Sequence, residues 1–122
     1  MDGLRAALTA NTRLISVCHP HNPLGSLWSA EEVQAIADLA RAGRRVKFLY
    51  TIPTYQNPAG VTLSLEKRRE LLDLAAEYEF TIFEDDPYAD VRFRGEPLPS
   101  MLSMDTRGVV VHASSFTKTV CP

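Results

Sequence analysis

The sequence has few cysteines, almost no excess of charge and no long apolar run, and each shortage excludes a class of protein. Two cysteines, Cys18 and Cys121, among 122 residues are too few for a disulfide framework. No apolar segment is long enough for a signal-peptide core or a membrane span. The 13 basic and 15 acidic side chains give a net charge of −2, so no polycationic surface indicates nucleic acid or an anionic membrane as a partner. We therefore expect a cytoplasmic protein that binds neither.

The composition is that of an ordinary globular protein. Apolar residues make up 45% of the chain and charged residues 23%, which excludes disorder for most of it. At roughly 100 to 200 residues per domain, the length allows one modest domain. A core can therefore form, and it is small.

Two successive βα units are predicted near the beginning of the chain. Leu14–Cys18 is an apolar run typical of a strand, and a capping box at Ser29 begins a helical periodicity that ends at Gly43. The pattern then repeats, with an apolar run at Val46–Thr51 and a second amphipathic helix capped by Ser64. A proline-bearing loop separates strand from helix in both units.

The two units are alike in sequence as well as in pattern. Sliding the chain by 35 positions gives eight identities over residues 22–40. They are Asn22-Pro23 with Asn57-Pro58, Gly25 with Gly60, Ser29 with Ser64, Glu31 with Glu66, and Asp38-Leu39-Ala40 with Asp73-Leu74-Ala75. Two copies are too few for a stable solenoid, so we interpret residues 12–45 as a duplicate of the βα unit 46–80.

The remaining segments continue the alternation of strands and loops. Phe80–Phe83 is predicted as a strand that ends in an acidic turn, Tyr88–Arg94 as a short hairpin, Pro97–Met104 as an irregular loop and Gly108–His112 as a further strand. This order favours an α/β fold whose mostly parallel sheet is covered by helices. In such sheets, ligands bind at the edge where the carboxyl ends of the strands meet.

Four side chains that could take part in catalysis or binding follow predicted strand ends: Asn57, Asp85, Tyr88 and Lys118. Asp85 lies 28 residues after Asn57, and Lys118 lies 33 residues after Asp85, so parallel crossovers would bring all of them to one edge. Singly, each is more often structural, as a solvated lysine, a turn-capping aspartate or an Asn-Pro turn. Together they supply an amine that can condense with an aldehyde, a carboxylate for a pyridine nitrogen, and a phenol and an amide for a ring oxygen. Pyridoxal phosphate chemistry needs this combination.

Three motifs carry a resemblance to a known family: Tyr50–Gly60, Glu84–Tyr88 and Ser114–Lys118. From residue 46, the chain resembles the large domain of the fold-type I pyridoxal-phosphate aminotransferases of class I/II, in the branch shared with MocR-type regulators and aminoadipate-like aminotransferases. The resemblance implies a three-layer α/β/α fold with a mostly parallel sheet. It also implies pyridoxal 5'-phosphate as cofactor, amino-acid and 2-oxo-acid substrates, and a homodimer, since this family usually builds its site across two subunits.

The resemblance also implies a role for each matching residue. Lys118 would form an aldimine with the cofactor and later move the proton at the substrate alpha carbon. Asp85 would pair with the pyridinium nitrogen, and Tyr88 and Asn57 would hydrogen-bond the ring hydroxyl oxygen. Ser115, three residues before the lysine, would contact the cofactor phosphate.

The first copy of the repeat receives no role. Asn22 lies 63 residues before Asp85, against 28 for Asn57, so Asn57 is assigned to the site and Asn22 is interpreted as a structural relic. His19 and His21 alternate as metal ligands sometimes do, but no cysteine or carboxylate lies at ligand spacing around them. We expect them to be loop residues and expect no metal site.

Three hypotheses on function stay open at this point. The first is an aminotransferase whose large domain is present only in part over residues 1–122, with little transamination by this chain alone. The second is a non-catalytic, cofactor-binding piece of a MocR-like transcriptional regulator. The third is a truncated product without activity, whose small sheet leaves strand edges unpaired.

Overall fold

A computed structural model describes residues 37–38, 41–43 and 46–120 of the chain. Over the longest of these stretches, strands alternate with helices. In order, the elements are β1 (Phe48–Thr51), α1 (Leu65–Glu77), β2 (Thr81–Asp85), a 3-10 helix (Ala89–Val91), α2 (Met101–Met104), β3 (Val110–Ala113) and a second 3-10 helix (Phe116–Lys118).

The three strands form one parallel sheet with β2 in the centre. Tyr50 of β1 pairs with Phe83 of β2, which in turn pairs with Val111 of β3. Because both pairings are parallel, the carboxyl ends of all three strands meet at the same edge. The predicted α/β fold with a parallel sheet is confirmed.

Helix α1 begins where its sequence predicts, directly after Ser64. The Ser64 hydroxyl accepts a hydrogen bond from the Lys67 amide at 3.4 Å, which satisfies one of the free donors of the first turn. At the other end, the Tyr78 amide donates to the Leu74 carbonyl at 2.9 Å. The buried side chains of α1 recur at helical spacing and face the sheet. They are Arg68, Leu71, Leu72 and Ala75.

One face of the sheet carries the hydrophobic core. Leu49 and Ile82 pack there against α1, together with Met101 of α2. Alternate strand residues point to the opposite face. On that face, Phe83 lies edge-on to Phe48, with ring centroids 6.2 Å apart. The described residues thus supply the sheet and one helical layer of the predicted three-layer arrangement.

The hairpin predicted over Tyr88–Arg94 is wrong. The segment forms the 3-10 helix Ala89–Val91, in which the Val91 amide donates to the Tyr88 carbonyl at 3.1 Å. This bond closes a local turn and takes the place of the cross-strand pairing that a hairpin needs. The local turn therefore decides the structure of this segment.

The irregular loop predicted over Pro97–Met104 is wrong in its second half. Residues Met101–Met104 form α2, and the Ser100 hydroxyl accepts from the Ser103 amide at 3.1 Å. The distant Glu84 carboxylate accepts from the first two amides of the helix, which stabilises a turn too short to persist alone. A contact over 17 residues of sequence lies outside what a local pattern can predict.

The first predicted βα unit lies mostly outside the described residues. This holds for the strand Leu14–Cys18, for the loop with His19, His21 and Asn22, and for Cys121 at the other end of the chain. Residues 37, 38 and 41 are helical, in agreement with the helix predicted up to Gly43. The duplication of residues 12–45 stays a prediction.

Candidate functional site

The predicted site residues lie at or just beyond the carboxyl edge of the sheet. Asn57 is in the loop that follows β1, and Asp85 ends β2 with Tyr88 three residues further on. Ser115 and Lys118 follow β3 directly. The parallel order of the strands therefore gathers all five at one edge, where the sequence had placed Asn57, Asp85, Tyr88 and Lys118.

Asn57 and Tyr88 are in contact. The Asn57 side-chain amide nitrogen lies 3.4 Å from the Tyr88 hydroxyl oxygen and donates to it. The contact joins the loop after β1 to the turn after β2, over 31 residues of sequence. A side-chain amide and a phenol thus face one another at the edge of the sheet.

The loop that carries Asn57 is closed by its own hydrogen bonds. The Gln56 amide donates to the Val61 carbonyl at 3.1 Å, and the buried Gln56 side chain accepts from the Ala59 amide at 3.3 Å. The peptide bond between Asn57 and Pro58 is cis. Gly60 adopts a φ of +67°, a left-handed conformation that glycine accepts without a steric penalty. The loop is therefore a folded unit in its own right.

Asp85 lies on the face of the sheet opposite α1, where Tyr50 of the neighbouring strand donates its hydroxyl to the Asp85 carboxylate. The Tyr50 ring stacks on Phe83, with centroids 5.9 Å apart and planes 25° apart. Both residues are only partly buried. The carboxylate is thus held in place while one side of it stays accessible.

Ser115 and Lys118 sit in the segment after β3. The Ser115 hydroxyl oxygen lies 2.7 Å from the Thr117 hydroxyl and accepts from the Thr117 amide at 3.2 Å. Lys118 ends the second 3-10 helix and is exposed. Among the described residues, no hydrogen bond or ion pair joins it to the other predicted site residues. The structure places Lys118 at the carboxyl edge of the sheet, as predicted, but without a hydrogen bond or ion pair to the other predicted site residues within the described part of the chain.

The acidic turn fixes the start of that segment. The Asp86 amide donates to the Ala113 carbonyl at 2.8 Å, and the Ser114 hydroxyl donates to the Asp86 carbonyl at 3.0 Å. These two bonds extend the pairing of β2 and β3 beyond the last strand residues. The chain that leads to Lys118 therefore leaves the sheet directly beside Asp85.

Three ionisable side chains are buried behind the edge: Arg68, Glu84 and Asp86. Burial lowers the pKa of Arg68, while the carboxylates of Glu84 and Asp86 act in the opposite direction. Burial also raises the pKa of Asp86, and the charge of Glu84 adds to that effect. Within the described part of the chain, Oδ1 of Asp86 has no hydrogen-bond partner.

Of the two buried carboxylates, that of Glu84 has more hydrogen-bond partners. One oxygen accepts from the Met101 amide at 2.7 Å, and the other accepts from the Leu102 amide at 3.0 Å. Nδ1 of His112 lies 2.9 Å from that second oxygen. Glu84 thus connects the centre of the sheet with α2 and β3.

The sequence reasoning missed these buried groups and the role of Tyr50. A signal was present for two of them. Arg68 precedes Leu71, Leu72 and Ala75 by three, four and seven positions, which places it in the buried stripe of α1. Glu84 follows Ile82 by two positions, on the core side of β2. A charged residue in phase with an apolar face indicates a buried polar contact.

Two searches of the described residues gave negative results. No group of three or more histidine, cysteine, aspartate or glutamate side chains in that part of the chain is arranged to hold a metal ion. No helix there is long and apolar enough to cross a bilayer.

The fold and the edge define an α/β protein whose polar side chains converge where parallel strands end. A family model described as "Aspartate amino-transferase" matches residues 29–105, and one described as "Aminotransferase class I and II" matches residues 1–49. The chain belongs to the aspartate amino-transferase family, and the resemblance drawn from its three motifs is confirmed.

Individual relatives agree with this assignment. The chain is 43% identical over 89 residues to aromatic-amino-acid aminotransferase 1 of Thermococcus litoralis, a match that covers 73% of this chain and 21% of that protein. A kynurenine aminotransferase of Pyrococcus horikoshii, solved with PMP, superposes with a TM-score of 0.69 at 42% identity over 73% of this chain and 22% of its own.

A further solved structure is the alpha-aminoadipate aminotransferase LysN of Thermus thermophilus, complexed with N-(5'-phosphopyridoxyl)-L-leucine. It superposes with a TM-score of 0.60 at 32% identity, over 71% of this chain and 24% of its own. The chain thus spans between a fifth and a quarter of the length of these relatives.

Proposed function

We propose that this chain contributes to a pyridoxal-phosphate-dependent transamination of an amino acid to a 2-oxo acid. The observation that carries the proposal is the contact of the Asn57 amide with the Tyr88 hydroxyl, beside the accessible carboxylate of Asp85. Relatives named as aminotransferases support the enzyme over the MocR-like regulator, and one of them was solved with a phosphopyridoxyl ligand.

The donor set fits pyridoxal phosphate. The carboxylate of Asp85 suits a protonated pyridine nitrogen, and the amide of Asn57 with the hydroxyl of Tyr88 suits a phenolic ring oxygen. Ser115 offers a hydroxyl to a phosphate group, and Lys118 offers an amine at this edge. When bound, the cofactor supplies an electron sink for the bonds of the substrate alpha carbon.

The protein's own contribution is orientation and proton movement. Asp85 would keep the ring nitrogen protonated because Tyr50 holds the carboxylate in one direction. Asn57 and Tyr88 would fix the opposite part of the ring. Lys118 would carry the proton to and from the substrate alpha carbon, a task that suits an amine at the end of a flexible side chain.

The setting of the reaction is part of the proposal. A net charge of −2 and two cysteines in 122 residues support a cytoplasmic protein. The resemblance to class I/II aminotransferases supports a homodimer. Amino-acid and 2-oxo-acid substrates follow from the names of the relatives, which include aromatic-amino-acid and kynurenine aminotransferases.

The chain's three lysines, Lys47, Lys67 and Lys118, allow an internal test. The purified chain is incubated with limiting pyridoxal phosphate and reduced with borohydride, and the label on each lysine is measured by peptide mass spectrometry. We expect most of the label on Lys118, with the exposed Lys47 as the internal reference.

Two variants make the test specific. Asp85→Asn and Asn57→Ala should lower the label on Lys118 and leave the label on Lys47 unchanged, because Lys118 lies at the same sheet edge while Lys47 lies at the opposite, amino end of β1. Equal labelling of Lys118 and Lys47 in the parent chain would contradict the proposed site.

A further inference from the structure

Arg68 is the largest fully buried side chain of the described residues. Its place in the apolar stripe of α1 would ordinarily suit a leucine, since burying a guanidinium is costly unless its donors are satisfied. Here they are satisfied almost completely by oxygen atoms of other segments. A buried ion contributes little net stability compared with an apolar side chain. Its presence here therefore suggests that Arg68 holds neighbouring segments in fixed positions.

The hydrogen bonds of Arg68 reach three segments. Nε donates to the Leu63 carbonyl at 3.1 Å, and Nη1 donates to the Pro99 carbonyl at 2.9 Å. Nη2 donates to the Pro53 carbonyl at 3.0 Å and to the Thr54 hydroxyl at 3.1 Å. One rigid fork therefore holds both ends of the loop after β1 and the chain that leads into α2.

The loop so held is the one that carries Asn57. Its two ends are also joined by the Leu63 amide, which donates to the Pro53 carbonyl at 2.8 Å. Pro53 thus accepts from both the loop and the guanidinium. Because the loop is a closed unit, the position of its base fixes where Asn57 lies relative to Tyr88.

The same fork is linked to the acidic turn. The Thr54 hydroxyl accepts from Arg68 and also acts to lower the pKa of Asp86, the residue that follows Asp85 directly. The charges of Glu84 and Asp86 compensate that of the guanidinium. The bases of the Asn57 loop and of the Asp85 turn are therefore tied to a single buried cation.

We propose that Arg68 is a positioning residue of the candidate site, holding the loop of Asn57 at a fixed place relative to the turn of Asp85 and Tyr88. This inference rests on the proposed function. Lysine cannot replace Arg68, because its single ammonium cannot reach three segments in a planar fork. Arg69 is the matched control, since it lies next to Arg68 and its exposed side chain donates no hydrogen bond among the described residues.

The first measurement needs no cofactor. In the 15N-labelled chain, Arg68→Lys should shift the NMR signals of the Asn57 side-chain amide and of the Gln56 and Gly60 backbone amides. Arg69→Lys should leave them in place. An unchanged Asn57 signal in a folded Arg68→Lys variant would overturn the proposal.

The second measurement uses the labelling of Lys118 by pyridoxal phosphate. Arg68→Lys should lower the ratio of label on Lys118 to label on Lys47 about tenfold, as expected from the loss of a charged hydrogen bond. Combined with Asn57→Ala, it should cause no further loss, because it acts through Asn57. A purely structural role would add its loss to that of Asn57→Ala.

Two outcomes call for a further experiment. If Arg68→Lys does not fold, the Thr54→Val variant takes its place, because it removes only the hydroxyl that accepts from Arg68. An unchanged NMR signal of the Asn57 side-chain amide in Thr54→Val would overturn the proposal. Should the parent chain label Lys47 and Lys118 equally, the proposed function fails, while the signals of the unloaded chain still decide the role of Arg68.

Discussion

The hydroxyl of Tyr50 donates to the carboxylate of Asp85 across the two neighbouring strands β1 and β2. The Tyr50 ring is itself fixed by stacking on Phe83, two residues before Asp85. The direction of the carboxylate at the sheet edge is therefore set by a residue to which the sequence assigned no role.

Tyr50→Phe should lower the free energy of unfolding by about 1 kcal/mol, since the ring packing stays and one hydrogen bond is lost. Urea denaturation followed by circular dichroism measures the change. In a cycle with Asp85→Ala, the two substitutions should be non-additive by about 1 kcal/mol. Strict additivity would show that the hydrogen bond contributes nothing to stability.

Glu84→Gln should destabilise the fold by about 2 to 3 kcal/mol, because an amide cannot accept from all three donors that surround the carboxylate. These donors are the Met101 and Leu102 amides and Nδ1 of His112. The exposed Glu70→Gln serves as the control and should stay within about 0.5 kcal/mol of the parent chain. Equal midpoints of urea unfolding for the two variants would contradict the prediction.

Asp86 should make stability fall as the pH rises. Burial, with the charge of Glu84, raises the pKa of Asp86 above its ordinary 3.8, so the folded state binds this proton more readily than the unfolded state. From about pH 4 upwards, through the raised pKa, the parent chain should therefore lose stability relative to Asp86→Asn. Urea unfolding of both proteins at a series of pH values measures the difference, which a flat profile would refute.

Asp105 should show the opposite sign. Burial alone would raise the pKa of Asp105, but the backbone amides of Arg107, Val110, Val109 and Gly108 outweigh it and lower the pKa below 3.8. The stability that the parent chain holds over Asp105→Asn should be present above pH 3.8 and should be lost as the pH falls through the lowered pKa. The same urea series tests this, and a difference that grows at low pH would contradict it.

Gly60→Ala should cost about 1 kcal/mol, because a φ of +67° strains a side chain even where space is open. Nothing lies within 4 Å of an added Cβ, so the cost is that of the backbone alone. Gly60→Asn should cost less, since asparagine tolerates the left-handed region. Thermal unfolding of the two variants compares them, and a larger loss for asparagine would argue against backbone strain.

Local patterns predicted much of the frame. The capping serine at Ser64, the stripe of α1 and the apolar runs of the three strands each follow from residues close in sequence. The strand ends differ from the prediction by at most two residues, because pairing with a neighbour decides where a strand begins and ends. The shared edge of Asn57, Asp85 and Lys118 followed from the spacing of parallel βα units. The chemical roles of the edge residues stay predictions.

The sequence by itself determined the alternation of strands and helices, the family and the edge where the site residues gather, since these depend on short motifs and period. Only the tertiary structure decided which charges are buried. Glu84 and Asp86 face the core while Asp85 faces outward, and Arg68 turns from α1 to the loop of Asn57. These arrangements depend on oxygen atoms supplied by distant segments, and a local pattern holds no information about which distant groups will meet.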